Sequence, residues 1–257
     1  MTDNNITYSV IMPVYNGRKY FGAALQSALA ALGEEDEIVV IEDGSNDGGV
    51  EDIIHAVEDH RIRYQYQENG GVASALNHGL KIARNPYFAW LSHDDLFLPD
   101  RLSEDRKLRQ LAPDIVTFTA FYLFSDDAND LKLVNKLKLA TSHHFATRLL
   151  ARRFLNGCTV SAPIKTFIQC GLFDESLRHT QDYDMWLKIL ETQEFTYIET
   201  PTVLSRQHPE QDSKKLPEAA RSEFKEILDR HWGQVSFKVR LLVDLMLIYR
   251  SRYNIHN

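Results

Sequence analysis

Three short apolar runs that each end abruptly in a polar cluster, with one alternating segment among them, constrain this chain more than any other feature. Ser9-Val10-Ile11-Met12 stops at Pro13 and opens into Val14-Tyr15-Asn16-Gly17. Glu37-Ile38-Val39-Val40-Ile41 runs into Glu42-Asp43-Gly44-Ser45-Asn46-Asp47-Gly48-Gly49, a dense turn cluster. Residues 61–67 alternate Ile62, Tyr64 and Tyr66 with polar neighbours, and Tyr87-Phe88-Ala89-Trp90-Leu91 ends at Ser92-His93-Asp94-Asp95. Runs of this kind read as strands. Between them, 20–32, 50–59 and 72–83 carry apolar residues at helical spacing, as in Phe21, Ala24, Leu25, Ala28, Leu29 and Leu32. The rhythm predicts an α/β fold: a mostly parallel, Rossmann-like sheet flanked by helices on both faces. Ligands of such sheets sit beyond the carboxyl ends of the strands. The clusters at Asn16, Asp43 and Asp94-Asp95 should therefore converge on one rim.

The second half is less regular. A helix is expected at 101–111, a strand at 115–124, a turn at 125–130 and an edge strand at 131–139. Helices are expected at 145–154 and 182–190, and an amphipathic one at 237–253. Arg206-Gln207-His208 reads as a polar loop. One domain over 1–215, with a nucleotide-binding half at 1–112 and an acceptor half at 113–215, is followed by a C-terminal helical extension at 216–257. The 257 residues and 44% hydrophobic content support a packed core. A net charge of −7, from 36 acidic and 29 basic residues, speaks against nucleic-acid binding. Cys158 and Cys170 are too few for a disulfide framework and read as free thiols in a reducing compartment. The N-terminus has no signal-peptide pattern, and no apolar run approaches the roughly 20 residues that span a bilayer. The expectation is a cytoplasmic protein, at the inner face of the membrane if the C-terminal helix meets lipid. That helix, with Leu241, Leu242, Leu245, Ile248 and Tyr249 among basic residues, could equally pack on its own domain or form a homodimer.

Each polar cluster has a plain reading and a chemical one. Two adjacent carboxylates, Asp94 and Asp95, repel unless a donor or cation compensates, and Mg²⁺ or Mn²⁺ can bridge carboxylates to a diphosphate. Alone, such a pair is an ordinary solvated turn. Asp43 could accept a hydrogen bond from a base-edge N–H, with Tyr15 stacking on the base; alone, it is a turn residue. Asp182 could cap its helix or take a proton from a hydroxyl. His208 could meet a metal or phosphate, or simply be solvated.

The order of the clusters shifts the balance between these readings. Ser9 through Asn16, Ile41 through Asp47, Asn69-Gly70-Gly71-Val72-Ala73-Ser74-Ala75-Leu76-Asn77, Ser92-His93-Asp94-Asp95 and Pro99-Asp100-Arg101-Leu102 resemble family 2 of the inverting glycosyltransferases, which have the GT-A fold. Gly171-Leu172-Phe173-Asp174-Glu175 and Gln181-Asp182-Tyr183-Asp184-Met185-Trp186 resemble that family's acceptor-side segment. The likeness spans about residues 8 to 213.

The resemblance implies roles. Pro13, Tyr15, Asn16, Asp43, Asn69, Ser74 and Asp94 are expected to bind the nucleotide, with Asp43 holding the base. Asp95 and His208 are expected to hold Mn²⁺ or Mg²⁺, with Asp94 supporting, and Asp182 is the expected catalytic base. The implied reaction moves a sugar with inversion from a nucleoside-diphosphate sugar, UDP-linked by expectation. The acceptor is a hydroxyl of a saccharide or lipid-linked molecule in cell-surface polysaccharide or lipooligosaccharide synthesis. Three positions depart from the common pattern: many members carry Asp at the places of Ser92 and Glu42, and Glu at that of Gln181. Two rival readings are a nucleotidyltransferase and an inactive nucleotide- or carbohydrate-binding module. The first expects a Gly-rich basic loop after the first strand, where only Gly17-Arg18-Lys19 stands.

Overall fold

The computed structural model describes residues 6–125, 130–134, 155–209, 211 and 217–232. The expected helices at 145–154 and 237–253, and most of the expected edge strand at 131–139, lie outside them. β1 (Tyr8–Val14), β2 (Glu37–Asp43), β3 (Ile62–Gln67) and β4 (Tyr87–Trp90) alternate with α1 (Arg18–Ala31), α2 (Val50–Val57) and α3 (Val72–Ile82). These strands pair in parallel in the order β3-β2-β1-β4, as the alternating pattern predicts. β1 and β2 are buried along their whole length. Strands covered on both faces read as near-continuous apolar runs, and these two do. On one face, Val39 and Ile41 pack beneath Ala75 and Ile82 of α3. α3 crosses so close to the sheet that any side chain at Gly79 would strike Ile11.

Two of the boundaries that differ from the sequence expectation bear on the rim. β1 does not stop at Pro13 but continues through it to Val14. Its pairing with β4 ends at Ile11, whereas pairing with β2 persists to Val14. Pro13 therefore lies where the strand is flanked on one side only, and its missing N–H is tolerated there. β2 extends to Asp43, which makes that carboxylate a strand-end residue.

Beyond β4 the sheet becomes mixed. After β5 (Leu96–Phe97) and α4 (Arg101–Arg109) come β6 (Val116–Phe124), β7 (Lys132–Val134), β8 (Val160–Pro163), α5 (Ile164–Gln169), α6 (Gln181–Leu190), β9 (Phe195–Arg206) and α7 (Pro217–Trp232). β8 joins antiparallel to β4, β6 antiparallel to β8, and β9 parallel to β6 and antiparallel to β5. The stretch read as a polar loop at Arg206 is thus the end of a 12-residue strand. Asn77 of α3, buried, joins the two halves. Its amide donates to the Phe173 carbonyl (2.9 Å) and Glu175 (2.8 Å) and accepts from the Phe173 N–H (2.9 Å). Among the described residues, no helix is long and apolar enough to cross a membrane.

α7 docks on α6 through an ionic cluster around Asp184, which is fully buried. Lys188 (2.6 Å), Arg230 (3.0 Å) and His231 (3.0 Å) surround its carboxylate, and His231 also reaches Glu191 (3.1 Å). Burial alone would raise the Asp184 pKa, but His231 and Lys188 outweigh it and hold it at about 2. For His231, burial favours the neutral ring, yet Asp184 and Glu191 outweigh it and the net direction is up. A histidine raised on folding adds stability below its unfolded pKa, about 6.5, and loses it as pH rises through the higher folded value. The lowered Asp184 adds stability above its unfolded pKa, about 3.9, and loses it as pH falls toward about 2. Thermal unfolding should thus show the chain losing stability as pH climbs above about 6.5, with a shallower loss in His231→Gln. An identical slope in both proteins would refute this account of the cluster.

Candidate functional site

The parallel order of β1 to β4 sets their carboxyl ends side by side, and the loops there are tied to one another. The Asn16 N–H donates to Ser45 Oγ (3.1 Å), the Asn46 N–H donates to Asn16 Oδ1 (2.9 Å), and the Arg18 N–H donates to Asp47 (2.9 Å). Asn16 takes a left-handed conformation, φ 48°, which asparagine adopts more readily than most residues. Pro13 is buried beneath this loop, and Tyr15 is 46% exposed on it.

Asp43 organises the neighbouring loop. Its Oδ1 accepts from Gln67 Nε2 (2.7 Å) and the Gly70 N–H (2.8 Å), and its Oδ2 accepts from the Gly71 N–H (2.8 Å). Its carbonyl accepts from Asn69 Nδ2 (3.0 Å), and Ser74 Oγ lies 3.4 Å from Gln67 Nε2. Asp43, Asn69 and Ser74 thus meet in one place, through contacts absent from any local signal. A carboxylate has about four acceptor positions, and the buried Asp43 spends three of them on this loop. Gly44 is required twice over: its φ is +70°, and a Cβ would stand 2.6 Å from the Asn69 backbone nitrogen. At Gly17 a Cβ would meet the His93 ring at 2.6 Å, so this glycine lets the turn after β4 press against the loop after β1.

The Ser92-His93-Asp94-Asp95 turn divides its two carboxylates between different tasks. Asp95 is buried; it accepts from the Arg206 N–H (2.9 Å) and from Asn156 Nδ2 (3.3 Å). Burial, then the charge of Asp94, pushes its pKa up to about 7. Arg206 returns the contact, donating from Nε to the Asp94 carbonyl (3.0 Å), with its guanidinium between the Tyr20 and Phe124 rings. This clasp carries the end of β9 over the turn. His208 Nε2 then lies 3.0 Å from Asp94 Oδ2, with its ring 5.0 Å from that of Tyr20. Asp94, rather than Asp95, faces the histidine. Ser92 faces the buried Cys158: its N–H lies 3.3 Å from the sulfur. Burial raises the pKa of that thiol and lowers that of His93. Among the described residues, no three His, Cys, Asp or Glu side chains gather closely enough to hold a metal by themselves.

Asp182 lies in the first turn of α6, where its Oδ1 accepts the Tyr183 N–H (2.8 Å). Just ahead of it, the Arg178 guanidinium rests where a side chain at Gly71 would stand, so the segment entering α6 abuts the loop held by Asp43. Sequence reasoning missed Arg178, Asn156 and the clasp of Arg206. Asn156 sits in a stretch with no recognisable pattern, whereas Arg206 had a signal in its place two residues before His208.

Several known proteins are similar to this chain. An uncharacterized glycosyltransferase of Rickettsia felis is 37% identical over 212 residues, covering 81% of this chain and 35% of its own length. The chain therefore spans only about a third of such relatives. Chondroitin synthase of Escherichia coli is 29% identical over 208 residues, covering 74% of this chain and 27% of its own. Among solved structures, S. aureus TarS 1-349 in complex with UDP-GlcNAc superposes with a TM-score of 0.71 at 18% identity, over 86% of this chain and 64% of that one. This last likeness concerns the fold, a mixed α/β sheet with flanking helices as expected for GT-A. Residues 9–175 match the model described as Glycosyl transferase family 2. The match runs through the four parallel strands and the loops at their carboxyl ends, and the chain belongs to glycosyl transferase family 2.

Proposed function

We propose that the chain transfers a sugar from a nucleoside-diphosphate donor, UDP-linked, to a hydroxyl of a saccharide or lipid-linked acceptor, with inversion at the anomeric carbon. The observation that carries this reading is the rim itself. The Asp43-anchored loop stands at one part of it and the Asp94–His208 pair, 3.0 Å apart, at another. Pro13, Tyr15 and Asn16 line the nucleotide side, with Tyr15 exposed for stacking on the base. The remaining acceptor position of Asp43 suits the N–H of a uracil edge.

The donor set fits a divalent cation. Asp94 offers a carboxylate oxygen and His208 an imidazole nitrogen, both acceptable to Mn²⁺. Asp94 and His208 would hold the cation jointly with the donor's diphosphate, since ions of this kind commonly bind beside phosphates through one or two protein carboxylates. When bound, the cation neutralises charge on the departing diphosphate. Asp95 is the less suitable partner, since Arg206 and Asn156 already engage its carboxylate. In the transfer, Asp182 takes the proton of the acceptor hydroxyl as that oxygen bonds to the anomeric carbon and the bond to the diphosphate oxygen breaks. The UDP-GlcNAc bound to TarS and the name chondroitin synthase of another relative support a UDP-sugar donor and a saccharide acceptor. Polysaccharide or lipooligosaccharide synthesis at the cytoplasmic face of a membrane is the setting we infer.

Incubating the purified chain with a panel of nucleotide sugars, Mn²⁺ and saccharide acceptors tests the reading. Release of nucleoside diphosphate with a new glycosidic bond is the expected result. Pyrophosphate release instead would mark a nucleotidyltransferase, and binding without turnover would mark a module that only binds.

A further inference from the structure

Glu223 of α7 is gripped by the backbone that leads into α6. Its Oε1 accepts the Arg178 N–H (2.9 Å), and its Oε2 accepts the N–H groups of His179 (2.8 Å) and Thr180 (3.1 Å) and the Thr180 hydroxyl (3.1 Å). Successive N–H groups aimed at one carboxylate require the chain to curl into a concave nest. Thr180 is the N-cap residue of α6, yet its hydroxyl makes no capping bond within its own helix. A negative charge is favoured at such an end, where N–H groups lack helical partners, and here it arrives from another helix. α7 is anchored further along as well, by Arg230 to Asp174 (2.7 Å) and by Arg230 and His231 to Asp184. On the far side of the nest, Arg178 lies against Gly71, whose N–H is bonded to Asp43. Contacts therefore run from the loop held by Asp43, through 178–180, to Glu223. The helix that supplies Glu223 stands outside the residues 9–175 that match the family.

We infer that Glu223 is a positioning residue for the transfer reaction. Its carboxylate sets the path of 178–180, and with it the seat of Arg178 on Gly71 and the direction in which α6 presents Asp182. The inference rests on the glycosyltransferase reading, but the nest itself does not. Without the carboxylate, water can satisfy the freed N–H groups, and the segment loosens without the chain unfolding.

The test uses the whole chain, with Glu223→Gln, Thr180→Val and, as a control on the same helix, Glu226→Gln. Glu223→Gln should lower kcat by roughly 10- to 100-fold, the range expected when a catalytic group shifts by about an ångström. Its donor KM should rise by a smaller factor than kcat falls, because the segment reaches the donor side only through the seat of Arg178 on Gly71. Amide hydrogen exchange at 179–180 should quicken. Thr180→Val, which deletes one donor, should move kcat the same way by a smaller factor, and Glu226→Gln should move neither quantity. A Glu223→Gln protein with wild-type kcat overturns the inference and leaves the glycosyltransferase reading standing, even if its Tm has fallen. Wild-type protein that turns over no nucleotide sugar overturns the reading instead. In that event unchanged exchange in Glu223→Gln would overturn the nest by itself.

Discussion

Asp182→Asn is expected to lower the transfer rate by about 100-fold or more while donor binding stays close to wild type, because general-base assistance is worth roughly 10²–10⁴. The substitution keeps shape and can still accept the Tyr183 N–H that Asp182 holds at 2.8 Å. It removes only the basicity that an attacking hydroxyl needs. The effect should appear in kcat, with donor affinity measured separately by calorimetry. Slow hydrolysis of the donor by water should fall with it, since water needs the same base. Wild-type turnover in Asp182→Asn would remove Asp182 from the chemistry and leave its carboxylate as a local cap for α6.

Asp94→Ala is expected to lower metal-dependent turnover by about 10²–10³-fold, because it weakens the hold on the cation that offsets charge developing on the diphosphate, with little loss of stability. Asp95→Ala should behave differently. It leaves the Arg206 N–H without its acceptor in a buried place, which costs about 1–3 kcal/mol of stability and loosens the end of β9. Titrating Mn²⁺ into each variant and following urea unfolding distinguishes the two. The sequence pattern ranks Asp95 as the direct metal contact, and the geometry ranks Asp94, which stands opposite His208. If Asp95→Ala loses metal dependence while Asp94→Ala keeps it, the sequence ranking is right and the geometric one wrong. His208→Ala should resemble Asp94→Ala, since the two side chains face each other.

The parallel half was legible for a simple reason. β1, β2 and most of β4 are buried, so they appear as short apolar runs, while the edge strand β3 shows alternation instead, and the helices carry their spacing over two to four turns. The second half hides its strands. β9 contains Pro201, and its register with β6 shifts on both sides of Ala120, so no clean alternation survives in the sequence. α4 misleads in another way. Arg101, Asp105 and Arg109 recur every four residues, as on a solvated helix face, yet all three are fully buried. Asp105 meets Arg109 (2.6 Å), Tyr8 (2.5 Å) and Ser161 (3.0 Å), none of which marks it as buried before the chain is folded.

Side-chain chemistry and local period are properties of neighbours along the chain. They sufficed for the α/β class, for the four strand ends and for the residue types gathered on the rim. Which carboxylate of Asp94 and Asp95 faces outward to His208, and which is consumed in holding the chain together, depends on β9 returning to the turn across 111 and 114 residues. So does the meeting of Arg178 with Gly71 and of Glu223 with the entrance to α6. Two adjacent aspartates are chemically alike in sequence. Burial and the donors that reach each one make them different, and only the tertiary structure supplies those.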